Sequence, residues 1–273
     1  MSNSQHAPVA LIFAVTGHAE VECVPAIIRK CMRLSSAVVK IGTVSRVRQR
    51  PRLRIRAKGS QKCQVLPEHE KLAREIPKLV RDERSYFLWI DDLENEEDRK
   101  QPQPHFDYYA RLLDDAVHAP MRERCSIHFL VNMLEAYFLA DTSAVNTVLQ
   151  PFLERPDTSL KRHQGDCENI KNPKGTLVSH VKHCNPTKRY IETTHGPGIA
   201  RQLDIEQILS NPNHCRALRT LVAWCWEAIG EARTDQFQLL AGVYWDVTAH
   251  QLSIAPSSVQ VGPLAAETNS RPQ

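Results

Sequence analysis

Apolar positions along the chain occur either in short unbroken runs or at helical spacing. Residues 9–15 form an apolar run typical of a buried strand, and the apolar residues of segment 21–31 recur near helical spacing. A short strand is predicted at 37–41, a helix at 68–81 and a second buried strand at 86–90. This order of strands and helices predicts an α/β fold, with a mostly parallel or mixed sheet covered by helices.

The later part of the chain is predicted to be mainly helical. Residues 106–116 have the spacing of a second covering helix, and the pattern of 204–229 is also helical. Segment 126–140 is almost wholly apolar, which fits a strand leading into a helix or a single buried helix. We therefore expect three parts: an α/β core at 8–145, a helical extension completing the domain at 146–230, and a weakly structured C-terminal tail at 231–273.

Composition excludes a membrane protein and favours the cytoplasm. The chain is 42% hydrophobic and 24% charged, and it has no apolar run near the roughly 20 residues of a membrane span. Its start lacks the basic region of a signal peptide, so we interpret the first apolar run as a strand. The eight cysteines include no CxxC pair, which suits reduced thiols in a reducing compartment.

The stretch Tyr86–Arg99 ends an apolar strand in a patch of carboxylates. Side chains delivered by the carboxyl ends of parallel strands point into the crevice where ligands bind, and clustered acids there repel one another unless a cation joins them. The acids nearest the strand end are therefore candidate metal ligands: Asp91, Asp92 and Glu94. The next three fit a solvated first helical turn, favoured by the helix dipole: Glu96, Glu97 and Asp98. A solvated acidic turn throughout is the alternative.

A polar stripe crosses the apolar segment 126–140. If that segment is helical, His128, Asn132 and Glu135 share one face. A buried glutamate needs a partner, so Glu135 belongs either to a site or to a hydrogen-bonded structural network. Two lysine-bearing turns are candidates to face the acidic centre, although basic turns are usually solvated. Their basic residues are Lys171, Lys174, Lys188 and Arg189.

Every second residue between positions 46 and 58 is basic. An extended segment would place all of these charges on one face, which we call the basic ladder: Arg46, Arg48, Arg50, Arg52, Arg54, Arg56 and Lys58. Pro51 favours an edge strand or a protruding hairpin. Binding to phosphates would relieve the mutual repulsion of these charges by releasing counterions, so we predict a nucleic-acid-binding or partner-binding edge. The alternative is protection of the edge against aggregation.

Several stretches resemble a family of uncharacterised Toprim-like proteins. This branch is often encoded beside an ABC-type or AAA ATPase in prokaryotic genomes and is suspected of acting in defence against phage. The resemblance extends over about residues 9 to 229, and the segments that carry it are VTGHAEVECVP, WIDDLENEEDR, SIHFLVNMLEAYFLAD, KNPKGTL and NPTKRYIETTHGPGIARQLDIEQIL. It implies a Rossmann-like sheet whose strand-end carboxylates hold Mg²⁺, or Mn²⁺, for phosphodiester chemistry.

Carried over by position, the resemblance assigns the catalytic and metal-binding acids. The acidic strand end falls on Asp91 and Asp92, with Glu94 as a third acid. The acid of the apolar segment falls on Glu135, and the second acid of the EGxxE motif falls on Glu20. One position departs from the family pattern, because Thr16 stands where the Glu before Gly is usual.

Two hypotheses of different class follow from these assignments. The first is a Toprim-like, Mg²⁺-dependent nuclease subunit that acts on nucleic acid with an ABC-type or AAA ATPase partner. The second, motivated by Thr16, is a non-catalytic sensor or adaptor that binds the ATPase and nucleic acid. A phosphatase on a similar sheet is weaker, because the sequence has no Gly-rich phosphate loop. A homo-oligomer is left open.

Overall fold

A computed structural model describes the chain at residues 8–33, 38–50, 65–100, 103–152, 159–163, 165–210, 214–229, 243–246 and 251–254. Part of the predicted basic ladder therefore lies outside the described residues, namely Arg52, Arg54, Arg56 and Lys58. All of the predicted carboxylate residues lie within them.

A four-stranded parallel sheet forms the centre of the fold. Its strands are β1 (Val9–Val15), β2 (Val39–Arg46), β3 (Ser85–Leu93) and β4 (Cys125–Val131), and they lie in the order β2-β1-β3-β4. All three neighbouring pairs are parallel. A parallel sheet needs crossover connections, and the helices supply them. The predicted α/β class, with a parallel sheet covered by helices, is confirmed.

Helices occupy most of the remaining described chain. They are α1 (Glu20–Arg33), α2 (Pro67–Leu79), α3 (Glu96–Lys100), α4 (Gln103–Ala116), α5 (Ala119–Arg122), α6 (Leu134–Ala140), α7 (Thr142–Leu149), α8 (Pro173–Cys184), α9 (Glu192–Gln202), α10 (Ile205–Ser210) and α11 (Arg216–Ala228). Two 3₁₀ turns lie at Gln150–Phe152 and Cys167–Asn169. No helix of the described chain is both long and apolar enough to cross a membrane.

The central strands separate two hydrophobic cores, because successive side chains of a strand point to opposite faces. Along β3, Leu88 and Ile90 pack into the core formed with α1, α9 and α11. Phe87 and Trp89 pack into the other core, formed with α2 and α4. The helical extension shares the first core with the sheet, through residues such as Leu177 of α8.

The β3 strand continues further than its apolar run. It ends at Leu93, so Asp91 and Asp92 lie within the strand and are both buried, whereas the sequence placed them just after it. Backbone pairing to β4 continues to Leu93 and carries the strand through the acidic positions. Because these two acids are consecutive, they point to opposite faces of the sheet.

Segment 126–140 is a strand followed by a helix, the first of the two predicted arrangements. The turn between β4 and α6 holds Asn132 at φ 61° and Met133 at φ 74°, which ends the strand sharply. His128 therefore lies in a strand and hydrogen-bonds Ser126, at 2.9 Å between Oγ and Nε2. The helical stripe of His128, Asn132 and Glu135 does not form, and Glu135 alone reaches the carboxylate cluster described below.

The region predicted as a weakly structured tail contains two short strands. They are β5 (Val243–Asp246) and β6 (Gln251–Ile254), which pair in antiparallel fashion. Their sequences are too short to produce a periodic signal, and the sequence analysis did not predict them.

Candidate metal and phosphoryl-transfer site

The strand order creates a crevice between the carboxyl ends of β1 and β3. From β1 the chain passes through α1 to β2 on one side, and it then returns past β1 to β3 on the other side. This reversal is a topological switch point, the usual place for ligands in open α/β sheets. Glu20 begins the helix that follows β1, and Asp92 lies near the end of β3. Both are directed to the α1 face of the sheet.

Glu20 and Asp92 form a buried carboxylate pair. Their side chains hydrogen-bond to each other, and the two residues are 4% and 5% exposed. Each carboxylate also has one buried oxygen without a hydrogen-bond partner, Oε2 of Glu20 and Oδ1 of Asp92. A buried polar atom without a partner is costly, so this pair is arranged for a group other than its present neighbours.

Burial and mutual repulsion raise the pKa of both acids. Burial is the main cause of the raised pKa of Glu20. It also raises the pKa of Asp92 well above its usual range, and the charges of Glu20 and Asp91 add to that effect. Two carboxyl groups in contact ionise together with difficulty, so the pair favours a state in which the two acids share one proton. A cation bound between them would replace that proton.

Glu135 adds a third buried acid from the start of α6. Burial raises its pKa to about 7, and the charge of Glu192 adds to the effect. The Tyr190 hydroxyl donates a hydrogen bond to Glu135 Oε1 at 3.2 Å. Glu135 can therefore hold or release a proton near neutral pH, which suits a general acid or base.

Lys174 brings a positive charge to this acidic cluster. It forms an ion pair with Glu192. Although burial lowers the pKa of Lys174, its bond to Glu192 and the nearby charges of Glu192, Glu135 and Glu94 raise it overall. The sequence analysis named Lys174 as a candidate to face the acidic centre, and the structure places it there. Glu94 is exposed at the rim. Glu192 and Tyr190 were missed as site residues, although they lie in the quoted segment NPTKRYIETTHGPG.

Asp91 belongs to a different cluster, on the other face of the sheet. It forms a buried ion pair with Arg50, and its Oδ2 accepts a hydrogen bond from Tyr109 at 2.7 Å. Its Oδ1 accepts the Asp92 backbone N–H at 2.8 Å. Both oxygens of Asp91 are thus used by protein groups. The structure does not bring Asp91 together with Glu20 and Asp92.

Arg50 is an exception to the predicted basic ladder. Its side chain is 3% exposed, and Nη2 also contacts Asp98 Oδ2 at 3.2 Å. Its Nε donates to His105 Nδ1 at 2.5 Å, while His105 Nε2 lies 3.1 Å from Asp98 Oδ1. Asp98 was predicted to be a solvated helix residue, but it closes this network. Glu96 and Glu97 are exposed as predicted.

The other described members of the ladder point outward. Arg46 is exposed at the end of β2, where it hydrogen-bonds the His18 ring. The side chain of Arg48 is 81% exposed and lies 3.6 Å from Glu68. Because β2 is parallel to β1, Arg46 lies at the same edge of the sheet as the carboxylate pair. This edge therefore combines exposed cations with buried acids.

The carboxylate pair fits a hard divalent cation. Carboxylate oxygens are the donors that Mg²⁺ and Mn²⁺ prefer, and each acid has a buried oxygen without a partner. Among the described residues, no group of three or more His, Cys, Asp or Glu side chains is arranged to hold a metal. Mg²⁺ is often held by one or two carboxylates, with waters and substrate phosphates completing the shell. Glu20 and Asp92 provide that number.

A prediction concerns Gly17, which the Glu20 carboxylate covers. A β-carbon at position 17 would overlap the Glu20 carboxyl group, so Gly17→Ala is expected to push that group away from Asp92. We expect Mn²⁺ affinity, measured by calorimetry, to fall by about tenfold, equal to about 1.4 kcal/mol. Gly165→Ala is the control, because its β-carbon would meet only the exposed His163. Equal affinities of the two variants would mean that Glu20 is not a ligand.

A second prediction concerns the pH dependence of stability due to Glu135. Its folded pKa of about 7 lies above the unfolded value near 4.5, so its contribution is complete below about pH 4.5 and is lost as pH rises through 7. The unfolding free energy of the natural chain should fall between pH 5 and pH 8 as Glu135 loses its proton. Glu135→Gln should make that fall smaller by about 3 kcal/mol, at about 1.4 kcal/mol per pKa unit. Urea unfolding at both pH values measures this. Glu97→Gln, an exposed control, should leave the fall unchanged; an unchanged fall in Glu135→Gln would contradict the assignment.

Comparison with known proteins relates the chain to one domain family. Searches of curated proteins and of solved structures returned no match to the chain. The family model described as "Domain of unknown function (DUF4276)" matches residues 15–223. The matched region begins at the end of β1 and continues into α11, so it contains the carboxylate pair, Glu135, Lys174 and Glu192. The chain therefore belongs to the DUF4276 family.

Proposed function

We propose that this protein is a Toprim-like, Mg²⁺- or Mn²⁺-dependent nuclease subunit that hydrolyses nucleic-acid phosphodiesters. The observation that carries the proposal is the Glu20–Asp92 pair at the topological switch point, with one buried, unpartnered oxygen on each acid. Such an arrangement is unfavourable without a cation and becomes favourable with one. The resemblance of the strand-end acids to the Toprim pattern supports the same reaction.

The roles of the side chains follow from their positions. Glu20 and Asp92 would hold the metal, which when bound supplies Lewis-acid stabilisation of phosphate charge. Glu94 is an exposed acid at the rim and suits a contact through water. Lys174 places a positive charge where a phosphate oxygen would lie. Glu135, with a pKa of about 7, would accept a proton from an attacking water.

Exposed cations beside the site support a nucleic-acid substrate. Arg46 and Arg48 are exposed near the carboxyl end of the sheet and would contact backbone phosphates. Arg52, Arg54, Arg56 and Lys58 extend the proposed surface in sequence. Arg50 is better assigned to fold stability, because its side chain is buried.

The proposed biological setting includes an ABC-type or AAA ATPase partner and defence against phage. Both rest on the resemblance alone. The ATPase would regulate the nuclease, and a homo-oligomeric nuclease subunit is compatible with this arrangement. If an ABC-type or AAA ATPase gene lies beside the gene for this chain, co-expression of the two proteins followed by size-exclusion chromatography tests the partnership directly.

A cleavage assay tests the proposed activity. The purified chain, alone and with the ATPase, is incubated with supercoiled plasmid, single-stranded DNA and tRNA in Mg²⁺ or Mn²⁺. We expect cleavage that EDTA stops and that Asp92→Asn reduces by at least about 100-fold, equal to about 2.7 kcal/mol of transition-state stabilisation. Absence of cleavage and of metal binding under all these conditions would reject the proposal.

A non-catalytic adaptor is the second candidate, and Thr16 favours it. Thr16 follows β1 directly, where the resemblance places the Glu that precedes Gly, and it is only half-buried. Thr16→Glu distinguishes the two functions. If the variant gains Mn²⁺ affinity while the natural chain binds none, the site is a decayed one and the adaptor is favoured. Metal binding by the natural chain that Asp92→Asn removes would favour the nuclease.

A further inference from the structure

A groove lies on the outer side of the fold between α1 and the edge strand β2. Its volume is about 540 Å³, and its lining includes Val21, Pro25 and Arg33 of α1 together with Ile41 and Val44 of β2. The lining residues of α1 extend over nearly the whole helix, so the groove follows α1 along its length. It begins one residue after Glu20 and leads away from the carboxylate pair.

The groove carries an excess of positive charge above an apolar floor. Four of its lining residues are cations and one is an acid: Arg29, Lys30, Arg33, Arg201 and Glu22. Arg29 and Arg33 are exposed. Glu22 lies 4.0 Å from Arg201, and both side chains are 63% exposed, so solvent screens that pair. The net charge therefore favours a ligand with several negative charges.

The outer edge of β2 is open in the described part of the chain. The sheet order places β2 at one end, with β1 as its only neighbouring strand among the described residues. Half of the backbone N–H and C=O groups of an edge strand point away from the sheet and can pair with an added strand. Gly42 lies in the groove lining at a break in the β1–β2 register.

The lining favours a peptide over nucleic acid. None of its residues is aromatic, so it offers no platform on which bases could stack. Its floor consists of aliphatic side chains and a proline, which suit the apolar side chains of a peptide. Strand addition would direct every second side chain of the peptide towards α1, where both the apolar floor and the cations lie, and the remaining side chains towards the opposite face of the sheet.

We propose that an extended acidic segment of a partner protein binds this groove as an additional strand on β2, with both apolar and acidic residues among the alternate positions that face α1. Backbone pairing with the open edge supplies the register, and Arg29 and Arg33 select acidic side chains. Because the groove begins beside Glu20, the bound segment ends next to the carboxylate site. The proposal does not depend on nuclease activity.

The test uses the full chain and a fluorescein-labelled peptide of about ten residues in which every second residue is serine and the residues between are valine and glutamate in turn. Fluorescence anisotropy should show binding that Arg29→Glu/Arg33→Glu weakens by at least tenfold. The matched control is Arg74→Glu/Lys78→Glu, which also reverses two exposed cations one helical turn apart, on α2. We expect less than a twofold change in that control. A peptide N-methylated at alternate amides should bind at least tenfold more weakly.

Four results would overturn the proposal. Two of them concern the acidic peptide: it fails to bind, or it binds the reversed variant and the natural chain equally. A single-stranded or duplex oligonucleotide, rather than the peptide, loses affinity on reversal, which would make the groove a phosphate-binding surface. Sedimentation shows self-association that the reversal abolishes, which would make a second copy of the chain the occupant. A peptide with lysine in place of glutamate should not bind.

Discussion

The Asp92→Asn variant is expected to lose divalent-metal binding and to become more stable without metal. Asparagine keeps the size of the side chain but removes the charge that is buried against Glu20, and its amide can donate a hydrogen bond to that acid. We expect Mn²⁺ affinity to fall by about 100-fold, or about 2.8 kcal/mol. At pH 8 the unfolding free energy of the metal-free protein should rise by about 1 kcal/mol.

Titration calorimetry with Mn²⁺ and urea unfolding in EDTA measure these two effects separately. A loss of Mn²⁺ affinity together with a gain in unfolding free energy would show that the charges of the site serve metal binding at the expense of stability. Asp114→Asn is a control, because Asp114 lies on α4 and pairs with Arg122 at 3.0 Å, away from the carboxylate pair. Unchanged metal affinity in Asp92→Asn would remove Asp92 from the ligand set.

Replacement of the adjacent residue, Asp91, should have the opposite effects on stability and metal affinity. Asp91→Ala leaves the buried guanidinium of Arg50 without its main partner, so we expect destabilisation by about 3 kcal/mol, the lower part of the range for a broken buried pair. Asp98 and the Asp92 carbonyl continue to contact Arg50 and limit the loss. Metal affinity should stay within twofold of that of the natural chain, because Asp91 faces the other side of the sheet.

A double-mutant cycle checks the cause of this destabilisation. Arg50→Met removes the other charge, and the double variant Arg50→Met/Asp91→Ala replaces both charged groups by apolar ones. We expect the double variant to be more stable than Asp91→Ala, since no uncompensated charge is then buried. Additive losses would mean that the two residues act independently and that packing alone explains the effect.

The buried Arg50 network also limits the function of the basic ladder. The regular alternation of arginines predicted that all of them lie on one exposed face. Arg50 instead binds a partly buried acidic cluster. Asp91, Asp98 and His105 surround Arg50 from three separate elements. The burial of Arg50 could not be inferred from a two-residue period. Such a period gives the direction of each side chain relative to its own strand, but it does not show which other elements pack against that side chain.

Much of the fold was determined by local pattern. The apolar runs of β1 and β3, the helical spacing of α1 and the order of elements together predicted a mostly parallel sheet covered by helices, because helices on both faces bury the apolar side chains of the strands. The same pattern placed Asp92 at the end of a strand. Glu20 and Glu135 were grouped with it only by the family resemblance.

Tertiary structure alone decided which acids meet. Asp91 and Asp92 are adjacent in sequence, and strand geometry requires them to face opposite sides, but only the packing of α1 against one face and α4 against the other shows which acid meets Glu20. Lys174 and Glu192 come from helices about 80 to 100 residues later in the chain, and no local signal relates them to β3. Residue type and periodicity determine which side chains a strand or helix directs to a given face, whereas the long-range contacts of the folded chain determine which partner each of those side chains meets.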